Sequence, residues 1–209
     1  MIIKVCGMRE ADNIRAVEAL GVDWIGLIFW PGSSRYVSER PAYLPLKAHR
    51  VGVFVDAPVD DVLQHVSDYR LDIVQLHGHE DREYIRELRQ PDGDHFSVMK
   101  AISVSDDSDI ATYKQYEDSV DYFLFDTKCN TVGGSGQQFD WSVLSGYGGS
   151  RPFLLSGGIG PDSCERLRAF HHPRLVGIDL NSRFEVSPAL KDISQLKQFL
   201  YEQNQSTLC

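Results

Sequence analysis

Eight short apolar runs, separated by amphipathic stretches, constrain the fold of this chain more than any other feature of its sequence. The runs predict buried strands at Ile2–Cys6, Trp24–Phe29, Val51–Val55, Ile73–Leu76, Ser97–Ile102, Tyr122–Asp126, Phe153–Ser156 and Val176–Leu180. Because Gly, Pro, Asp and His bound these runs, they fit parallel strands covered on both faces better than exposed hairpins. One strand–helix unit about every 25 residues is typical of a (β/α)8 TIM barrel.

The stretches between the runs carry apolar residues at helical spacing. Such spacing predicts helices within Asp12–Leu20, over Val59–Val66 and over Ile193–Leu200. Pro41 and Pro45 interrupt the second unit, so its helix is expected to be short or irregular. No linker or charge block divides the chain, which indicates one domain over residues 1–209 with a polar, frayed tail at 202–209.

The competing fold is an open, doubly wound sheet, which would need a glycine-rich loop after the first strand. Only Cys6-Gly7-Met8 stands there. The glycine-rich segments follow the sixth, seventh and eighth runs instead, where a barrel builds its phosphate site. The position of the glycines therefore favours a TIM barrel of the phosphate-binding type over the open sheet.

Charge and cysteine content exclude several classes of function. A net charge of −9 offers no excess of Lys and Arg for nucleic acid, although backbone N–H groups can still hold a small anion. The cysteines, Cys6, Cys129, Cys164 and Cys209, are scattered without a zinc-site spacing. No run approaches a membrane span of roughly 20 apolar residues, and the first residues lack a signal-peptide pattern. We expect a cytoplasmic protein with free thiols and no membrane partner.

Cys6 ends the first strand, at the rim where a barrel carries its active site. Ile2, Lys4 and Cys6 share one face, which we place inward because a lysine between strand and helix would be costly. Lys4 then needs a partner, and Asp179 on the adjacent last strand is the candidate. Cys6 is either a small buried side chain or a general base whose pKa is lowered by nearby positive charge.

Asp126 closes the sixth strand and is a candidate general acid, or alternatively a carboxylate that caps a helix. His77 and His79 follow the fourth strand beside Glu80. They lack a clear third and fourth metal ligand, so we expect no metal and interpret His77 as a pocket-lining residue.

Three loop segments are suited to phosphate: Gly133–Gly136, Ser156–Pro161 and Asp179–Ser182. Their glycines allow the backbone N–H groups to approach an anion, and Pro161 is a suitable first residue of a helix. Arg35, after the second strand, is either a solvated loop residue or a clamp for a substrate carboxylate.

Taken together, these motifs resemble the phosphoribosylanthranilate isomerase family. The resemblance runs in order through Lys4–Met8, Ser34–Val37, Val51–Val55, Val74–Gly78, Phe125-Asp126, Gly133–Gly136, Phe139–Trp141, Ser156–Ile159 and Asp179–Ser182 to Glu185. It departs mildly where Ser135 replaces a frequent threonine and where Arg183 and Phe184 occupy a variable stretch.

The resemblance implies an Amadori rearrangement of a sugar phosphate in tryptophan biosynthesis, without cofactor or metal. It implies that Cys6 is the base, Asp126 the acid and Arg35 the residue that binds the anthranilate carboxylate. The remaining substrate-binding residues that we expect are His77, Gly134, Ser135, Ser156, Gly157, Gly158, Asp179, Asn181 and Ser182. The oligomeric state, monomer or homodimer, stays open.

Three rival functions are less well matched. The analogous histidine-pathway isomerase has an aspartate where this chain has Cys6. Pentose-phosphate epimerases need metal-binding His and Asp at several strand ends. A non-catalytic sensor of phosphorylated metabolites would be expected to have lost Cys6 or Asp126, and this chain keeps both.

Overall fold

The strands of this protein close into one parallel barrel. The computed structural model describes residues 1–90, 96–127 and 141–205. The barrel strands are β1 Ile2–Val5, β2 Trp24–Ile28, β3 His49–Phe54, β4 Ile73–Leu76, β5 Ser97–Val104, β6 Tyr122–Thr127, β7 Phe153–Ser156 and β8 Leu175–Leu180. Neighbouring strands pair in chain order, and β1 pairs with β8 through Ile2–Gly177 to Val5–Leu180. This closure rules out the open doubly wound sheet.

Helices pack around the outside of the barrel. They are α1 Ala11–Glu18, α2 Val59–Tyr69, α3 Arg82–Leu88, α4 Asp107–Ile110, α5 Cys164–Ala169 and α6 Ile193–Gln205. Short 3₁₀ turns span Ala111–Gln115, Trp141–Gly146, Pro161–Ser163 and Ser182–Phe184, and Pro161 is the first residue of its turn, as expected. A small antiparallel hairpin, β9 Glu185–Ser187 and β10 Leu190–Lys191, follows β8. Among the helices of the described ranges, none combines the length and apolarity needed to cross a bilayer.

Two expectations from the sequence are corrected by the structure. The second strand–helix unit has no helix at all in residues 29–48, because Pro41 and Pro45 each remove a backbone donor and restrict the chain. The last helix reaches Gln205, so residues 202–205 belong to it rather than to a frayed tail. Residues 206–209 lie outside the described part of the chain.

Side-chain alternation along the strands divides the buried residues into an inner and an outer layer. Trp24, Val51, Ile73, Met99, Ala101, Leu124 and Leu154 fill the barrel interior. The larger outer cluster joins the other face of the strands to the helices. Because Leu124 points inward, Asp126 two residues later also points inward. The same alternation directs Lys4, Gln75 and Asp179 to the interior.

Candidate active site

The carboxyl ends of the strands bring most of the predicted site residues around one cavity of about 330 Å³. It is lined by Cys6, His77, Asp126, Ser156, Gly157, Gly158, Asp179, Asn181 and Ser182, together with Ile28, Val53, Gln75, Ile159 and Arg183. Gly134 and Ser135, also predicted here, lie outside the described residues. The cavity joins both candidate proton-transfer groups to the segments expected to bind phosphate.

A larger cavity, of about 480 Å³, opens at the opposite end of the barrel around Trp24 and Tyr122. Its carboxylates are engaged by neighbouring side chains: Asp72 lies 3.5 Å from His49 Nδ1, and Asp121 accepts from Arg89 at 2.7 Å. In barrel enzymes this end serves stability rather than catalysis. We therefore assign the chemistry to the smaller cavity.

Lys4 lies fully buried beneath Cys6, and its ammonium is bonded to Asp179 Oδ2 at 2.9 Å. The pairing expected from the sequence is therefore confirmed. Lys4 and Asp179 are directly opposite in the register of β1 and β8, which explains the contact. Although burial disfavours the ammonium, the attraction of Asp179 raises the pKa of Lys4, so the lysine is charged.

The Cys6 thiol is buried, with 4% of the residue exposed. Gly26 on β2 makes room for it, since a Cβ at that position would lie 2.7 Å from Cys6 Sγ. Burial raises the pKa of Cys6, and the ammonium groups of Lys4 and Lys191 oppose this without reversing it. The base role considered from the sequence required a lowered pKa. In the packed barrel the pKa is raised instead, because the loss of water around the thiol outweighs the nearby positive charge.

The Asp126 carboxyl is partly exposed, at 23%, and reaches into the cavity from β6. Its Oδ2 lies 3.6 Å from His77 Nε2. His77 Nδ1 in turn lies 2.9 Å from the side-chain amide nitrogen of Gln75, on β4. The acid candidate therefore belongs to a row of three side chains rather than standing alone.

Arg35 has a different environment from the one expected. Glu185 accepts from its Nε at 2.8 and 3.1 Å and from its Nη2 at 2.6 Å. Glu185 also accepts from Lys191 Nζ at 2.6 Å, and Lys191 donates to Asn181 at 2.8 Å. Within the described ranges nothing bonds Arg35 Nη1, so the Nη1 group and the second hydrogen of Nη2 are left for a ligand.

The loop after β7 supplies consecutive glycines in the left-handed region, with φ of 91° at Gly157 and 67° at Gly158. Side chains rarely adopt this conformation, which explains glycine at both positions. Arg183 faces this loop, and its Nη2 lies 3.3 Å from Asp162 Oδ1. The turn at Ser182–Phe184 brings Arg183 to the cavity wall, so a basic side chain accompanies the expected anion site.

Sequence reasoning missed Gln75 and Arg183 as cavity residues. Gln75 had a usable signal, since it is the one polar residue within the apolar run Ile73–Leu76 and shares a face with Ile73. Arg183 had none, because its position depends on the turn after β8. In the described part of the chain, no three His, Cys, Asp or Glu side chains are grouped as a metal site would require.

Comparison with known proteins gives a consistent result. The family model described as N-(5'phosphoribosyl)anthranilate (PRA) isomerase matches residues 3–202. The N-(5'-phosphoribosyl)anthranilate isomerase of Phocaeicola vulgatus is 50% identical over 205 residues, covering 95% of this chain and 98% of the relative. The protein of the same name from Parabacteroides distasonis is 49% identical over 208 residues, covering 97% and 93%.

A solved structure of phosphoribosyl anthranilate isomerase in complex with reduced 1-(o-carboxyphenylamino)-1-deoxyribulose 5-phosphate superimposes with a TM-score of 0.81 at 29% identity, covering 98% of this chain and 100% of that one. The crystal structure of phosphoribosyl anthranilate isomerase from Thermotoga maritima gives a TM-score of 0.81 at 30% identity, with the same coverage. Together with the closed barrel and its cavity, these matches show that this chain belongs to the family of N-(5'-phosphoribosyl)anthranilate isomerases.

Proposed function

We propose that this protein converts N-(5'-phosphoribosyl)anthranilate to 1-(2-carboxyphenylamino)-1-deoxyribulose 5-phosphate, in tryptophan biosynthesis. The observation that carries the proposal is the single cavity that holds Cys6 and Asp126 beside the Gly157-Gly158 turn. A thiol and a carboxyl at the ends of different strands can reach one sugar from two directions. Aldose–ketose isomerisation needs one acid and one base so placed.

In the proposed mechanism Asp126 donates its proton to the ribose ring oxygen. The bond between that oxygen and C1 breaks, and the nitrogen lone pair forms an iminium with C1. The thiolate of Cys6 then removes the proton from C2, and the C2–H electron pair neutralises the iminium to give an enolamine. Tautomerisation moves the hydroxyl proton from the C2 oxygen to C1 and yields the ketone, so the reaction as a whole is redox-neutral.

The raised pKa of the Cys6 thiol is compatible with this role. A positive charge close to a thiol favours its thiolate form. Ring opening creates such a charge on the substrate nitrogen, in addition to the ammonium groups of Lys4 and Lys191. We propose that the buried thiol stays protonated and unreactive until the iminium appears, and that it then passes its proton to solvent and becomes the thiolate. Once the C2 proton has restored the thiol, a proton from solvent returns to the Asp126 carboxylate and completes the cycle.

We propose that the two ends of the substrate bind on different loops. The phosphate binds at Ser156, Gly157, Gly158 and Ser182, and Arg183 adds positive charge beside them. The carboxylate of the anthranilate ring binds the Nη1 corner of Arg35, which Glu185 holds in place. His77, Asp179 and Asn181 line the middle of the cavity, where the sugar would lie; Gly134 and Ser135 complete the phosphate site in this proposal.

We further propose that one barrel domain in the cytoplasm performs the reaction without a metal or organic cofactor, on a small-molecule sugar phosphate and not on nucleic acid. The test is a fluorescence assay that follows the loss of phosphoribosylanthranilate with and without a chelator. Turnover that is unaffected by the chelator is expected. The absence of turnover, or turnover that requires added metal, would contradict the proposal.

The same assay tests the two roles. Cys6→Ala and Asp126→Asn should each lower turnover by about 10²–10⁴-fold while product binding persists, because each removes a positioned acid or base. Cys164→Ala and Asp118→Asn make the same chemical changes outside the cavity and should leave turnover unchanged. Near-normal turnover in either cavity variant would remove that residue from the mechanism.

A further inference from the structure

Gln75 is a polar residue in an apolar layer of the barrel. Only 1% of it is exposed, and its register partners on β3 and β5 are Val53 and Met99. Burying an amide among apolar side chains is unfavourable unless its polar atoms are satisfied. Since Gln75 also lines the cavity, the amide calls for a functional explanation.

The bond between Gln75 and His77 determines where the imidazole carries its proton. The amide nitrogen of Gln75 lies 2.9 Å from His77 Nδ1. An amide NH2 group can only donate, so Nδ1 must accept. A neutral imidazole that accepts at Nδ1 holds its single proton on Nε2.

That Nε2 is the ring nitrogen that faces Asp126, at 3.6 Å from Oδ2. The distance is too long for a direct hydrogen bond but allows an N–H dipole to stabilise a carboxylate. Resting on the function proposed above, we infer that Gln75 is a positioning residue for the acid: it keeps the His77 proton on Nε2, where it stabilises the carboxylate that Asp126 becomes after protonating the sugar.

The orientation of the amide supports this inference. Among the described residues, Gln75 Oε1 has no hydrogen-bond partner. Turning the amide by 180° would pair Oε1 with His77 but leave the NH2 group, with two hydrogens, unpaired in its place. An unpaired buried N–H group is rarer in proteins than an unpaired buried carbonyl oxygen, so the orientation that bonds the NH2 group to His77 is favoured.

Other charged or titratable groups approach the same cavity from the neighbouring strands. Cys6 comes from β1, Asp179 from β8 and Arg183 from the turn after β8, while Lys4 lies beneath Cys6. Burial raises the pKa of Asp179, and the nearby His77 acts to lower it. Gln75→Glu adds a charge beside these groups, whereas Gln75→Met adds none, so the comparison of the two variants separates the effect of the amide from that of a new charge.

The decisive variant is Gln75→Glu, because a carboxylate can accept from His77 Nδ1 but cannot donate to it. The ¹⁵N NMR signals of His77, assigned by comparison with His77→Asn, should show an Nε2–H tautomer in the parent protein. In Gln75→Glu they should show a proton on Nδ1. The kcat for phosphoribosylanthranilate should fall by about 10–100-fold, a part of what a positioned acid contributes, with KM little changed. The limb of the pH–rate profile that reports ionisation of the Asp126 acid should be displaced.

Gln75→Met provides a second, uncharged variant that suits the surrounding apolar layer. It should give a mixture of His77 tautomers and an intermediate kcat. Gln64→Glu makes the same charge change at an exposed position of α2 and should alter neither the NMR signals nor kcat.

A parent protein with its His77 proton on Nδ1, or Gln75 variants that keep both the Nε2–H tautomer and the parent kcat, would overturn the inference. The NMR measurement needs no substrate. If the parent protein failed to turn over phosphoribosylanthranilate, the proposed function would fall while the tautomer result would still be read independently.

Discussion

At the scale of single residues, the chemistry of this site depends on buried charge. Lys4 is paired with Asp179 directly beneath the Cys6 thiol, and its charge opposes the effect of burial on that thiol. Breaking a buried pair leaves an uncompensated charge, which destabilises a protein by about 3–5 kcal/mol. A test of the electrostatic role of Lys4 therefore has to be separated from the loss of stability.

We predict that Lys4→Met raises the pKa of Cys6 still further and lowers turnover at neutral pH by at least about 10-fold, within the contribution of a positioned base. The thiolate absorbance of Cys6, titrated with pH, should shift to higher pH, and so should the limb of the pH–rate profile that reports the base.

Lys100→Met is the matched control, since it breaks the buried pair between Lys100 and Glu80, which lies outside the cavity. It should destabilise the fold similarly and leave the thiolate titration in place. An unmoved titration in Lys4→Met would reject the role of Lys4.

Residue-scale prediction from the sequence succeeded where alternation along a strand and adjacency of strands determine a contact. The Lys4–Asp179 pair is such a case, because both residues point into a barrel whose first and last strands meet. It did not predict the contact between Arg35 and Glu185, which joins the loop after β2 to the start of β9, 150 positions apart in the sequence. Neither periodicity nor local motif chemistry determines the relative position of two such loops.

At the scale of elements, the segment between β2 and β3 shows how a barrel tolerates a missing helix. The carboxylate of Glu18, on α1, accepts from the backbone N–H groups of Leu46 and Lys47 at 2.7 Å and of Ala48 at 3.0 Å. Tyr43 donates to its other oxygen. One side chain thus orders a segment that lacks internal helical hydrogen bonds.

We predict that Glu18→Gln lowers the free energy of unfolding by about 1–3 kcal/mol, because the neutral amide is a weaker acceptor for the buried N–H group of Ala48 and the partly buried ones of Leu46 and Lys47. Burial acts to raise the pKa of Glu18, but the bonds from Tyr43 and the backbone outweigh it and lower the pKa below its ordinary value of 4.5. The stabilisation is therefore complete above pH 4.5 and is lost as the pH falls through the lower folded-state pKa.

Chemical denaturation at several pH values measures this effect. The difference in the free energy of unfolding between the parent and Glu18→Gln should become smaller below pH 4.5. Glu39→Gln, at an exposed position of the same segment, should have the free energy of unfolding of the parent at every pH. A difference that is independent of pH would show that the ionised carboxylate is not what holds this segment.

Element-scale prediction from the sequence was accurate for the strands and poorer between them. Each barrel strand lies within two residues of its predicted bounds at either end, because a buried parallel strand is a continuous apolar run. The β9–β10 hairpin went unpredicted, since Glu185–Lys191 combines few apolar residues with no recognised hairpin turn. Its role, to hold Glu185 and Lys191 beside Arg35, emerges only from the folded chain.

At the scale of the whole molecule, barrel closure brings distant parts of the sequence into one site. Cys6 follows the first strand and Asp126 is the last residue but one of the sixth, yet both reach the same cavity. The loops after β7 and β8 complete it with glycines and Arg183. The pattern of eight strands with late glycine-rich loops was enough to predict this meeting of residues, whereas the burial that raises the thiol pKa required the packed structure.

The most direct test is a crystal structure of this protein with the reduced product, 1-(o-carboxyphenylamino)-1-deoxyribulose 5-phosphate. We expect Cys6 Sγ and the Asp126 carboxyl on opposite sides of the sugar chain, each about 3–3.5 Å from the atom with which it exchanges a proton. The phosphate should lie on the Gly157-Gly158 turn. A ligand bound elsewhere, or a sugar that only one of the two groups can reach, would contradict the account.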